Sequence, residues 1–498
     1  MEPDSTVDIV IIGAGLSGIN AAYRLQKELP HRSSTILESR SRIGGTWDFW
    51  KYPGARTDSS MVMFGFEWYP WRGETRMAEA HAIRQYIEDA AVSEGIDRKI
   101  QFGHRVTSMS WSSEEQRWTL EVGASTANGS VTKKVIKAWF VMGASGYYSY
   151  EEALPAEIPG IENFAGEVVH PQFWDENIDY NNKRVVVIGS GATAITLIPA
   201  LAKTAAKVIM LQRSPTYVFS LARKLPVYFW SKFLPASWTD WLNWWMGMFT
   251  ELFFTTTFKH FPKFARNFVR EDMRKRLPKG FDVDRHFDPR YNVLDQRLCY
   301  CPSGDFFKAF HKPNTEVVTD IIRAVTETGI QLKSGQTIEA DMIITATGLY
   351  LQLLNGISVF VNGVQVDQTL GQRYVWQGAM VEGIPNAGLL IGYVATSWTP
   401  GADVRARQLI KVIKRMERTG ATSMTPVADE KQRKGFPKTS CMPLSSTYVV
   451  AGRERIPMSA FVGPWRFGMN WASDIWNLMF GSITAGARYT YPRKDKTA

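Results

Sequence analysis

Two stretches of the chain carry the same order of apolar and polar positions. Residues 8–12 form a short apolar run that predicts a strand. It ends in Gly13-Ala-Gly-Leu-Ser-Gly, a helical stretch follows, and residues 34–38 predict a second strand. Residues 184–188 repeat the pattern. They end in Gly189-Ser-Gly-Ala-Thr-Ala, lead into another helical stretch, and close at residues 208–211. Each stretch is a strand–helix–strand unit of an α/β fold, and two of them imply two Rossmann-like dinucleotide-binding domains.

The remaining pattern divides the chain. Residues 118–122 alternate like an antiparallel strand, and a turn follows around Asn128 and Gly129. Residues 151–163, with Pro155, Pro159 and Gly160, suit a linker. An aromatic helical stretch at about 222–285 interrupts the second domain. Residues 341–344 predict another strand that leads to Ala346, Thr347 and Gly348. The expected organisation is a first part of one domain over 1–150, a second domain with its helical insertion over 151–340, and completion of the first domain over 341–498. The charged tail from Arg493 is expected to be mobile.

Two segments, 228–258 and 465–491, are rich in aromatic residues. Trp241, Trp244, Trp245 and Met248 follow the spacing of one helix face, which predicts a face packed on the core. Lining a route for an apolar substrate, or lying on a membrane surface, are the weaker alternatives. Asp240 and Glu251 bracket only ten residues, and Asp474 and Arg488 thirteen, too few to span a bilayer.

Composition narrows the class. Of 498 residues, 45% are apolar and 21% charged, enough for a large globular core. The three cysteines, Cys299, Cys301 and Cys441, form no CxxC pair and no disulfide framework, which fits a reducing, cytoplasmic setting. The acidic N-terminal residues run straight into a strand, so no secretory signal is expected. The net charge of +10 comes without any nucleic-acid motif and reads as a solvated basic surface. No metal site is expected.

The glycine loops carry the first chemistry. Gly13 permits the turn, Gly15 lets the backbone approach a pyrophosphate, and Gly18 lets the helix pack on the strand. Glu38 ends the next strand, where a carboxylate accepts from ribose hydroxyls. Gly189, Gly191 and Ala194 repeat the loop. The strand after it has no acid and continues into Arg213 and Ser214, which suit a 2′-phosphate. The first site therefore suits FAD or NAD, and the second NADPH. Adjacent sites imply hydride transfer to flavin. Disulfide reduction lacks its thiol pair, so oxygen activation is the remaining major use.

Residues 164–175 then match the FxGxxxHxxxW(P/D) pattern of Baeyer–Villiger flavoprotein monooxygenases at Phe164, Gly166, His170, Trp174 and Asp175. Gly44, Gly45, Thr46 and Trp47, followed by Tyr52-Pro-Gly-Ala-Arg56 and Asp58, resemble that family's flavin-wrapping segment. Paired glycines and a flat indole are compatible with it. Pro289-Arg-Tyr-Asn292, Asp295-Gln-Arg-Leu-Cys299, residues 212–217 and residues 344–349 resemble the family's ethionamide-activating branch.

The resemblance implies a set of roles. NADPH reduces FAD, oxygen forms a C4a-peroxyflavin, and one oxygen atom enters beside a ketone carbonyl to give an ester or lactone. Arg297 matches the catalytic arginine and Asp58 the residue that orients it. His170 couples cofactor binding to domain position, and Thr347 and Gly348 join the cofactor-binding set. Where many members place a lysine before the arginine, this chain has Gln296, so phosphate recognition rests more on Arg213. The implied partners are molecular oxygen and a small molecule, and the aromatic content points to a bulky apolar one, in specialised secondary metabolism. Oxygenation of sulfur or nitrogen on the same scaffold is the alternative. A flavin or disulfide reductase and a non-catalytic scaffold are more distant readings.

Overall fold

In the computed structural model, β1 (Ser5–Ile12) runs from solvent into the core, with its last four positions buried. Burial on both faces explains why its sequence is a continuous apolar run and not an alternation. It feeds α1 (Leu16–Glu28) and then β2 (Ser34–Leu37), which lies parallel to β1 with Leu37 opposite Ile12. The second unit has the same build. It comprises β3 (Arg184–Ile188), α2 (Ala192–Leu201) and β4 (Lys207–Gln212), with Leu211 opposite Ile188. The structure describes residues 3–125, 129–225, 228–468 and 470–492; Asn128 of the expected turn and the tail from Arg493 lie outside them.

Each unit seeds its own sheet. The first is nine-stranded, in the order Val364–Gln365, Ser358–Val361, His104–Ser112, Arg117–Ser125, Val131–Gly143, β1, β2, Ile100–Gln101, with Ala387–Leu389 also on Val131–Gly143. The strand foreseen at 118–122 is thus the middle of an antiparallel meander continuous with the main sheet. The second sheet is five-stranded and parallel, in the order Thr315–Thr319, β4, β3, Met342–Thr345, Glu167–Val169.

The placement of Met342–Thr345 corrects the boundary expected at residue 341. That strand pairs with β3, and Asp341 accepts hydrogen bonds from the Arg184 backbone and guanidinium. The chain returns to the first sheet only after Thr345.

The helical insertion contains α3 (Ala236–His260) and the helix Pro262–Arg276, between β4 and Thr315–Thr319. The face expected to pack on the core is covered in part. Met248 and Phe258 alone are buried on α3, while Trp241 is 55% exposed. The physical reason is that α3 is apolar around most of its circumference, and its neighbours cover one side. A Cβ at Gly247 would lie 2.6 Å from the Met63 sulfur, so α3 approaches the first domain closely there.

The last third of the chain closes the first domain. α4 (Trp398–Thr419) packs on α1, and Asp403 accepts from Asn20 at 3.0 Å and Arg24 at 2.6 Å. α5 (Trp471–Phe480) is pinned to α4 by a buried pair, Arg405 with Asp474 at 3.0 Å, and Tyr393 donates to the same carboxylate. Trp471 at its start meets the rings of Trp244 and Trp245. Among the described residues no helix is long and apolar enough to cross a membrane.

Candidate active site

The two glycine loops open onto one cavity of about 1130 Å³. At the first loop Gly13 has φ +107°, and a Cβ there would lie 2.8 Å from the Ala144 carbonyl oxygen. At Gly18 a Cβ would lie 1.9 Å from the Gly13 oxygen, so the helix can pack this close only as glycine. Gly15 begins α1 with no side-chain cap and no acid in the first turn. Its free N–H groups form an anion cradle. The second loop differs in one respect. Gly189 is again left-handed at φ +136° and crowded by Ala346, but a Cβ at Gly191 would meet no atom within 4 Å. Gly191 is thus the point where a ligand's phosphates have room to approach the backbone.

Glu38 is buried beside the first loop. Its carboxylate accepts from the Ala14 amide at 2.7 Å and the Arg40 amide at 3.0 Å. It therefore ties the loop to the end of β2 as well as facing the cavity. Arg40 donates to the Gly45 carbonyl at 2.6 Å and lies over the Phe49 and Tyr150 rings. Gly44 and Gly45 both have positive φ, and Gly45 backs directly onto Gly15. Thr46 Oγ1 lies 2.9 Å from the Tyr148 hydroxyl, which also accepts from Trp50. Trp47 meets Phe64 edge to face. The segment then crosses to the second domain. Gly54, at φ +78°, packs on the Thr196 carbonyl of α2, and Arg56 pairs with Asp305 at 2.6 Å.

Asp58 comes next, and it faces Arg297, which precedes the strand Cys299–Pro302. The guanidinium donates to both carboxylate oxygens at 2.5 Å and to the Val394 carbonyl at 2.8 Å. The Arg297 side chain is 27% exposed and lines the cavity. Burial works against its charge, yet Asp58 outweighs that and holds it above the usual arginine range. Around the pair stand Tyr147, Tyr300 and Tyr448, each raised above the ordinary phenol value chiefly by burial. Cys299 and Cys301, also buried, are pushed up to about 12, so neither thiol is a nucleophile at neutral pH.

The other foreseen residues separate into two groups. Gly45, Thr46, Trp47, His170, Thr347 and Gly348 line the cavity, as do Arg213 and Ser214 at its outer end. Arg213 is exposed and has no ion-pair partner among the described residues. Gly18 and Ala194 do not line it; they sit where helix meets strand. Phe164, Gly166, Trp174 and Asp175 also lie away from it. Phe164 and Trp174 are buried, a Cβ at Gly166 would lie 2.5 Å from the Asp341 carbonyl, and Asp175 makes a surface turn with Asn177. This segment supplies the edge strand Glu167–Val169 of the second sheet. Gln172 within it donates to the Ser149 and Glu152 carbonyls of the strand Tyr148–Ala153, which pairs with Leu349–Leu351 in a two-stranded ribbon separate from both main sheets. Burial lowers the His170 pKa, with a Gly348 backbone contact opposing.

Sequence reasoning missed Arg40, Gln172 and Glu251. Arg40 had a local signal, a cation two places after the strand-ending acid. Glu251 had none. It projects from α3 to accept from the Ser397 amide at 3.2 Å and hydroxyl at 3.1 Å, at the N-terminus of α4.

Comparison with known proteins decides the family. A profile of flavin-binding monooxygenase-like proteins matches residues 6–249. The FAD-containing monooxygenase EthA of Mycolicibacterium smegmatis is 41% identical over 96% of this chain and 95% of its own. The chain belongs to the flavin-binding monooxygenase-like family. It is a flavin-dependent monooxygenase and an oxidoreductase. A probable FAD-binding monooxygenase, AlmA, of an Acinetobacter species is 37% identical over 99% of this chain and 98% of its own. The fold matches cyclohexanone monooxygenase of Rhodococcus sp. Phi1 bound to NADP+, with TM-score 0.75, 21% identity, and 99% and 100% of the two chains covered. An oxidised steroid monooxygenase bound to NADP matches with TM-score 0.74 and 21% identity over 98% and 100%.

Proposed function

We propose that this monooxygenase uses FAD and NADPH to insert one oxygen atom beside the carbonyl of an apolar ketone, giving an ester or lactone. The observation that carries the reading is the Arg297–Asp58 pair, set in the wall of a cavity that both glycine loops share. The residues present fit both cofactors. The first loop, with Glu38, Thr46 and Trp47, would hold FAD. The second, with Arg213 and Ser214, would hold NADPH. Ser145 Oγ and Thr347 Oγ1 fit this too: both are buried in the cavity wall without a hydrogen-bond partner among the described residues. Buried hydroxyls of this kind are satisfied by a polar ligand.

Bound FAD and NADPH would supply the electrons and the activation of oxygen. The chain's own residues supply charge and exclusion of water. Arg297 presents a permanent cation where negative charge builds on oxygen, and it does so in a low-dielectric wall. Asp58 fixes the plane of that guanidinium, since two parallel hydrogen bonds define its orientation. The Val394 carbonyl takes a third donor and limits the side chain's swing. His170, Gln172 and the Gly54 turn sit between the domains and would transmit cofactor binding to their relative position. The buried tyrosines keep the cavity apolar yet hydrogen-bonding. The FAD-loaded protein, given NADPH and a ketone beside a thioether, tests the reading. It predicts ester or lactone from the ketone. Sulfoxide alone would assign the protein to sulfur oxygenation instead.

A further inference from the structure

The outer side of α3 is an apolar stripe that the described residues leave largely uncovered, with Trp238, Trp241, Phe249 and Phe253 exposed. Trp238, Trp241, Trp245, Phe249 and Phe253 recur at three- and four-residue spacing, so they form one ridge. It is about 22 Å long at 1.5 Å per residue. Trp238 and Phe253 are 62% and 66% exposed. Phe229 and Phe233 before the helix, and Phe261 and Phe264 after it, are also exposed. Trp245 touches both Phe249 and Trp471, so α3 meets α5 there, and α5 adds exposed Trp476, Met479 and Phe480. A water-facing surface this rich in large rings marks an interaction site.

The charges of this segment that lack an ion-pair or hydrogen-bond partner among the described residues are basic. Residues 228–264 contain two acids, and both are engaged: Asp240 with Arg72 at 2.7 Å, and Glu251 with Ser397. Lys232, Lys259 and Lys263 are exposed and have no ion-pair partner among the described residues. Lys232 precedes α3 in sequence, Lys259 lies in its last turn, and Lys263 follows it. A second copy packed on this face would add a second set of unpaired lysines without a counter-charge. An anionic surface would neutralise them.

We propose that this face docks on the surface of an anionic phospholipid bilayer, with α3 lying flat in the interface. Tryptophan and phenylalanine rings partition to the headgroup–acyl boundary, and flanking lysines reach to lipid phosphates. The chain does not cross: no described helix is long and apolar enough. The opposite side of α3 presses on Met63 at Gly247, and the adjoining Phe64 lines the cavity. Docking would therefore set the bilayer against the wall of the active site, whichever atom is oxygenated.

The test is flotation of the FAD-loaded protein with phosphatidylcholine vesicles, with and without phosphatidylglycerol, alongside sedimentation velocity without lipid. The proposal predicts flotation that depends on phosphatidylglycerol. It predicts a loss of at least about tenfold in partitioning for the triple variant Trp238→Ser, Trp241→Ser, Phe253→Ser, at unchanged flavin content. The variant Lys232→Gln, Lys259→Gln, Lys263→Gln should lose the phosphatidylglycerol dependence. No flotation by the parent, or equal flotation by the aromatic triple, would overturn the proposal. Self-association that the aromatic triple abolishes, without flotation, would overturn it in favour of a second copy.

Discussion

Asp58 receives two hydrogen bonds from one guanidinium, that of Arg297, across 239 positions of sequence. The carboxylate belongs to the first domain's cofactor-side segment, and the arginine to the segment that follows the helical insertion. The pair therefore joins the two parts of the cavity wall.

On the proposed reading, Arg297 acts in the oxygenation step and not in flavin reduction. Arg297→Ala should lower oxygenated product by about a hundredfold or more, in line with loss of a preorganised charge donor. Flavin reduction by NADPH, followed by stopped-flow absorbance, should stay within a few-fold of the parent. Arg297→Lys should also fail, because an ammonium cannot make both hydrogen bonds to Asp58 in one plane. Product formation near the parent rate in either variant would remove Arg297 from the chemistry.

Arg213 stands at the exposed outer end of the cavity with no ion-pair partner among the described residues. Arg213→Ala should raise KM for NADPH by about tenfold or more, the worth of a charge-assisted hydrogen bond, and leave KM for NADH nearly unchanged. Steady-state kinetics with both nucleotides decides it. Equal effects on both would remove Arg213 as the phosphate reader.

Glu38 has a structural task besides the cofactor one proposed for it. Glu38→Ala leaves the Ala14 and Arg40 amides without their partner. Unsatisfied buried donors cost about 1–3 kcal/mol each. The variant should lose bound flavin and melt several degrees lower even after flavin is stripped from both proteins. A change in flavin retention alone, with equal melting of the stripped proteins, would contradict the tie.

Glu251 gives a pH signature. Burial raises its pKa above the ordinary 4.5, with Ser397, Thr396 and Arg297 opposing. The folded state then binds a proton that the unfolded state releases first. Stability from this group is fully present below 4.5 and is lost as pH rises through the raised folded value. Glu251→Gln keeps the shape without the titration. Melting temperatures across pH should show the parent falling relative to the variant above 4.5. Parallel curves would contradict this.

How much was legible follows from how local each constraint is. The glycine loops were readable because each glycine's reason lies within a few residues or one strand: Gly18 against Gly13, Gly189 against Ala346. The Arg297–Asp58 pair was reachable only through family resemblance, since nothing in the spacing joins positions so far apart. The α3 face was misjudged because periodicity reports which residues share a side, and Trp241, Trp244, Trp245 and Met248 do. It does not report whether anything covers that side. The boundary at 341 failed for a related reason. An apolar strand looks alike in either sheet, and its pairing with β3 decides where it belongs.

The most direct test of the central claim follows one oxygen atom. The FAD-loaded protein, NADPH, a cyclic ketone and isotopically heavy oxygen gas are combined, and the product is read by mass spectrometry. The account predicts a lactone carrying a single heavy atom in the ring, beside the carbonyl, and none from Arg297→Ala. Unchanged ketone with NADPH consumed only to peroxide, across a panel of apolar ketones, would contradict it.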